Sequence, residues 1–132
     1  MSPSAPNTNT AVICIGSNTA DREARVNWAI AEFATLGSVL RQSSIYDNAA
    51  DNGIDPPYLN TVILLATALS HADLCAKCGH IEAAAGRTPE SKARGAVPLD
   101  ADVVIFNDTV MRPRDYARPY FTIGYKQIIT EQ

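Results

Sequence analysis

Leu99-Asp100-Ala101-Asp102-Val103-Val104-Ile105-Phe106 is an apolar run with two carboxylates, two positions apart, at its mouth. Its Val and Ile content predicts a strand, and its place in the chain completes a pattern. Upstream, Ala11 to Ile15 is continuously apolar and closes at Gly16, which predicts a buried strand. Gly16-Ser17-Asn18 turns into a helix from Asp21 to Leu36. There Val26, Ala29, Ile30, Phe33 and Leu36 recur at helical intervals, and Gly37 supplies the stop. Ser38 to Tyr46 reads as a second strand, Asp47 to Pro57 as a long polar loop, and Tyr58 to Ala68 as a third strand. Ser70 then opens a second helix, with Asp73 three residues on, running through Leu74, Cys78, Ile81 and Ala85 to Gly86. A second loop, Arg87 to Pro98, leads into the aspartate strand. The order β-α-β-β-α-β predicts an α+β fold, a ferredoxin-like sandwich whose antiparallel sheet carries its helices on one face. Beyond the Asn107-Asp108 turn, Thr109 to Met111 reads as a short return strand and Tyr120 to Ile129 as one more strand.

With 132 residues the chain reads as a single domain over residues 11–132. Met1 to Thr10, rich in Ser, Pro, Asn and Thr, reads as a disordered leader. A net charge of −3 leaves no broad basic surface for nucleic acid. No apolar run approaches the length of a membrane span. Three cysteines in a chain with a full core point to a reducing compartment, hence the cytoplasm. Cys75-Ala76-Lys77-Cys78-Gly79-His80 reads as a helix face with small buried thiols, since a structural zinc site wants four ligands.

The aspartates are the candidate site, the alternative being a solvated strand end. Side chains alternate along a strand, so Asp100 and Asp102 share a face with Cα atoms roughly 6–7 Å apart. Like charges so placed call for a cation between them. Mg²⁺ suits the position, because it favours one or two carboxylates completed by substrate phosphates. Arg87, Lys92, Arg94, Arg112, Arg114, Arg118 and Lys126 flank the pair, a concentration of positive charge that suits a small anionic ligand such as a nucleotide.

Several segments in order resemble the 6-hydroxymethyl-7,8-dihydropterin pyrophosphokinase family. They are Gly16-Ser17-Asn18, Ser43-Ser44-Ile45-Tyr46, Pro57-Tyr58-Leu59-Asn60, Ile81-Glu82 with Gly86-Arg87, and Leu99-Asp100-Ala101-Asp102 with Phe106. The resemblance implies transfer of diphosphate from ATP to the pterin hydroxymethyl oxygen, with release of AMP, as a step of folate biosynthesis. It implies two Mg²⁺ ions on Asp100 and Asp102, and a catalytic contribution from Arg87. A pterin pocket of Tyr58, Asn60 and Tyr125 is implied too, with Glu82, Arg87, Arg94 and Tyr120 toward the nucleotide. Pro89, Arg94 and Val97 stand where the family usually has Arg, Trp and Arg. Tyr120 replaces a histidine that contacts nucleotide phosphates, and Ile123 an arginine. Those departures motivate the alternative of a catalytically impaired homologue that binds a pterin or nucleotide. A purely structural ferredoxin-like module is a third reading, one that expects no ligand.

Overall fold

The apolar run beginning at Ala11 forms the middle of the sheet. In this computed structural model, which describes residues 7–49 and 53–130, strand β1 (Asn9–Ser17) is buried at every position from Ala11 to Ser17. A strand buried on alternate residues has one covered face; one buried throughout has two. Helix α1 (Arg22–Ala34), β2 (Gly37–Gln42), β3 (Tyr46–Asn48), β4 (Tyr58–Thr67) and helix α2 (His71–Ala84) follow. Then come a short α3 (Pro89–Ala93), β5 (Asp100–Phe106), β6 (Thr109–Val110), a short α4 (Pro113–Tyr116) and α5 (Pro119–Thr130). The strands form one antiparallel sheet in the order β2-β4-β1-β5-β6, with β3 also pairing along β4. This is the expected α+β class, with the β-α-β-β-α-β order intact.

On the first face, Ala11, Ile13, Ile15, Ile63, Leu65 and Val103 meet the buried stripes of the two long helices. Those stripes are Val26, Ala29 and Phe33 on α1, and Leu74, Cys78 and Ile81 on α2, at the i, i+3, i+4, i+7 spacing of one helix side. Ser70 caps α2 by accepting from the Asp73 amide at 3.1 Å.

The C-terminal expectation needs correction. Tyr120 to Ile129 is not a strand but most of α5, which lies on the second face. Its aromatic and β-branched content favours a strand locally. Its buried residues Phe121, Gly124 and Ile128 instead fall at helical spacing, over Val12, Cys14, Val62 and Val104. Gly124 makes the fit possible, since a Cβ there would stand 2.6 Å from Val62 Cγ2 and 2.8 Å from the Tyr46 hydroxyl. That hydroxyl donates to the Tyr120 carbonyl at 2.6 Å and accepts from the Gly124 amide at 3.2 Å. It thus bridges the two groups that a helical turn ordinarily joins, and ties α5 to β3.

Two smaller differences have local causes. The single strand expected over Ser38 to Tyr46 is divided, because the Ser43 hydroxyl accepts from the Val62 amide at 2.9 Å and interrupts the ladder. The expected leader overlaps β1: the Asn9 amide donates to the Leu69 carbonyl at 2.8 Å, and the Thr10 backbone N–H to Asn107 Oδ1 at 2.8 Å. The first six residues of that leader, and residues 50–52 of the Asp47 to Pro57 loop, lie outside the described residues.

Candidate functional site

The register of the sheet decides which side chains meet. Gly16 on β1 pairs with Asp100 on one side and Asn60 on the other, while Cys14 pairs with Asp102. Paired residues share a face. Asp100, Asp102, Asn60 and Tyr58 therefore all lie on the α5 side, beyond the part that α5 covers. Gly16 is the low point between them, for a Cβ there would stand 2.4 Å from Asn60 Nδ2 and 3.4 Å from the Tyr58 ring. Asn60 Nδ2 donates to the Ile15 carbonyl at 3.3 Å. Its Oδ1 is buried, with no hydrogen-bond partner among the described residues, so this acceptor favours any ligand that brings an N–H.

Around the aspartates lies a polar cleft of about 530 Å³, lined by Glu82, Arg87, Lys92, Asp100, Asp102, Arg112, Arg114, Asp115 and Tyr120. Arg87 Nη1 donates to Glu82 Oε2 at 2.9 Å, to Asp100 Oδ1 at 3.0 Å and to the Leu99 carbonyl at 3.3 Å. Glu82 Oε2 also accepts from the Ala101 amide at 2.8 Å, which fixes α2 to the start of β5. On the far side, Arg112 Nε stands 3.7 Å from Asp102 Oδ1 and donates to Asp115, which also accepts from the Tyr120 hydroxyl. Each aspartate thus has one guanidinium beside it. Asp115 is buried at the floor of this second arrangement. Sequence reasoning missed Asp115, because an Arg-Asp-Tyr run in an irregular segment carries no periodic signal. The cationic Lys92, Arg112 and Arg114, noted only for their charge, do line the cleft.

The carboxylates are crowded. Burial, then the charge of Asp100, push the Asp102 carboxyl up to about 7, against the opposing pull of Arg112. Burial likewise raises Glu82, countered by its bond from the Ala101 amide and by Arg87. Two carboxylates on one face, one of them raised by burial and by its neighbour's charge, are oxygen donors of the type a divalent cation takes. Among the described residues, no three His, Cys, Asp or Glu side chains converge to hold a metal ion. The donor set fits Mg²⁺ completed by phosphate oxygens and water, not a full protein cage.

A pH prediction follows from Asp102. Its folded pKa lies above its unfolded one, so its contribution to stability is fully present below about pH 4 and is lost as pH rises through about 7. Asp102→Asn should flatten that dependence, so that its melting temperature gains on wild type between pH 5 and pH 8. Thermal melts across that range, with no divalent cation, are the measurement. A constant difference between the two proteins contradicts the assignment.

The remaining expected site residues divide. Glu82, Arg87 and Tyr120 reach the aspartate cleft, whereas Arg94 does not line it; it is exposed at the C-terminal cap of α3. Tyr125 stacks on Phe121, with centroids 5.0 Å apart and planes 21° apart, and lines a separate cavity of about 310 Å³ with Arg41, Leu64 and Asp108. Leu64 is six residues along β4 from Tyr58, about 20 Å at strand rise. The Tyr58–Tyr125 pair expected around a pterin is therefore not assembled here, because α5 carries Tyr125 to the other end of the sheet face. Residues 12–130 match the family described as 7,8-dihydro-6-hydroxymethylpterin-pyrophosphokinase (HPPK).

Proposed function

Because the chain belongs to the 7,8-dihydro-6-hydroxymethylpterin-pyrophosphokinase family, we propose that it moves the diphosphate of ATP to the hydroxymethyl oxygen of 6-hydroxymethyl-7,8-dihydropterin, releasing AMP. The family's chemistry is pyrophosphoryl transfer in folate biosynthesis. The observation that carries the proposal is the shared sheet face, with the aspartate pair on β5 and the Asn60–Tyr58 recess one strand-pair away. Mg²⁺ held by Asp100 and Asp102 with the ATP phosphates would supply charge neutralisation over the transferring group. Arg87, braced by Glu82, holds the Asp100 carboxylate in place. Lys92, Arg112 and Arg114 face the polyphosphate and take the place of the family's cationic clamp, whose positions Pro89, Val97 and Tyr120 occupy here without a positive charge. Asn60 Oδ1 accepts an N–H from the pterin amide edge, and Tyr58 offers a ring for stacking. The free thiols of Cys14, Cys75 and Cys78 support placement in the cytoplasm.

The test is incubation of the protein with ATP, Mg²⁺ and the dihydropterin, with chromatography of AMP and the pterin diphosphate. Pterin-dependent AMP is the expected result. Saturable pterin binding without AMP replaces the transferase with a binding protein; no binding of either substrate leaves the structural module. Within this reading Asn60→Ala should weaken pterin binding by about 5–100-fold, the range of one buried hydrogen bond, and leave ATP affinity unchanged. Titration by fluorescence checks both.

A further inference from the structure

Arg112, Asp115 and Tyr120 belong to the elbow between β6 and α5, and each holds the next. The Met111 and Arg112 amides both donate to the Val104 carbonyl, at 2.8 and 3.3 Å, which fixes the backbone of Arg112 to β5. Pro113 then opens the single turn of α4, and Asp115 stands three residues after Arg112 on the same side of that turn. Asp115 is buried and both of its oxygens are used: Oδ2 accepts from Arg112 Nε, and Oδ1 from the Tyr120 hydroxyl. The Arg112 side chain itself is half-exposed at the aspartate cleft. Among the described residues its guanidinium makes a hydrogen bond through Nε alone, which leaves both Nη groups for a ligand.

We propose that Asp115 and Tyr120 are positioning residues that aim Arg112, so that its two Nη groups grip the ATP polyphosphate while neither positioning residue touches the nucleotide. This rests on the transferase reading above. A guanidinium held at Nε presents its Nη groups as a planar fork, the geometry that matches two phosphate oxygens. Immobilising such a long side chain on binding costs a factor of about 2–10 in affinity, and Asp115 meets that cost before the ligand arrives. Asp115 also sets where the charge sits. Arg112 Nε stands 3.7 Å from Asp102 Oδ1, beyond hydrogen-bond reach, so the Asp102 carboxylate is left open to a cation. Tyr120 acts from behind. Its hydroxyl has one proton and donates it to Asp115, so it has none for a phosphate. The residue that stands where the family has a histidine therefore serves the polyphosphate through an arginine eight positions earlier.

Calorimetric titration of the full chain with MgATP, without pterin, tests this as a double-mutant cycle. Arg112→Ala should weaken MgATP binding by about 10–100-fold, the range of charge-assisted hydrogen bonds. Asp115→Asn and Tyr120→Phe should each weaken it by about 2–10-fold, and in turnover should raise the KM for ATP but not for the pterin. In an Arg112→Ala background both substitutions should have no further effect. A loss that persists there overturns the proposal: for Tyr120→Phe it means that the hydroxyl reaches the nucleotide, for Asp115→Asn that the carboxylate supports the cleft as a whole. Unchanged MgATP affinity in both single variants overturns it too. Tyr120→Phe removes a single oxygen, so the cycle stands on that variant if a thermal melt shows Asp115→Asn unfolded. Wild type that binds MgATP without forming AMP removes the transferase reading and leaves the cycle readable, whereas wild type that binds no MgATP overturns both.

Discussion

Asp100→Ala/Asp102→Ala should lower pterin-dependent AMP formation by more than about a thousandfold, while the protein remains folded. The size follows from the chemistry. Metals on a transferring phosphoryl group supply several kcal/mol of charge stabilisation, and each 1.4 kcal/mol is about a factor of ten in rate. The preserved fold follows from the geometry. Arg87 keeps Glu82 at 2.9 Å when Asp100 is lost, and Arg112 keeps Asp115 when Asp102 is lost, so neither guanidinium is stranded. Removing the pair also removes the repulsion and desolvation that raise Asp102 to about 7, so the variant should melt no lower than wild type at pH 8. Single-turnover assays with a thermal melt on the same preparations decide the matter. Activity within tenfold of wild type contradicts a metal role for the pair. A collapsed melting temperature identifies the aspartates as structural.

The second large effect concerns α5. Phe121→Ala should cost about 3–5 kcal/mol, the range for truncating a buried aromatic side chain. Phe121 is fully buried, stacks on Tyr125 and sits over Val12, Cys14, Val62 and Val104. Against a typical total of about 5–15 kcal/mol the loss is severe, and a fall in melting temperature of about 10–20 °C is expected. Urea denaturation followed by circular dichroism measures it. Gly124→Val provides an independent check, since its side chain would collide with Val62 and the Tyr46 hydroxyl. A loss below 1 kcal/mol in Phe121→Ala would mean that the second face of the sheet is covered some other way.

These two experiments fall on opposite sides of what sequence alone can yield. The β-α-β-β-α-β order was legible because each element carries its own period. Val26, Ala29 and Phe33 mark a helix side, Leu74, Cys78 and Ile81 another, and the runs at Ala11, Tyr58 and Leu99 are apolar enough to be buried strands. Asp100 and Asp102 were legible for the same reason, since strand alternation puts them on one face whatever the strand packs against. Glu82 and Arg87 could be named only through family resemblance, and the structure joins both to Asp100 across α2 and β5.

What depended on tertiary structure is what depends on distant partners. Tyr120 to Ile129 has strand-like composition, and only the fit of Phe121, Gly124 and Ile128 against the sheet makes a helix the better solution. That choice moves Tyr125 away from Tyr58 and supplies Tyr120 to the aspartate cleft. Asp115 is buried beneath Arg112, and Asn60 carries an oxygen with no partner among the described residues beside Gly16, through register and loop packing that no local pattern encodes. Short-range periodicity is written in neighbouring residues. The charge and hydrogen-bonding state of a site is set by groups tens of positions away, brought within a few ångströms by the fold.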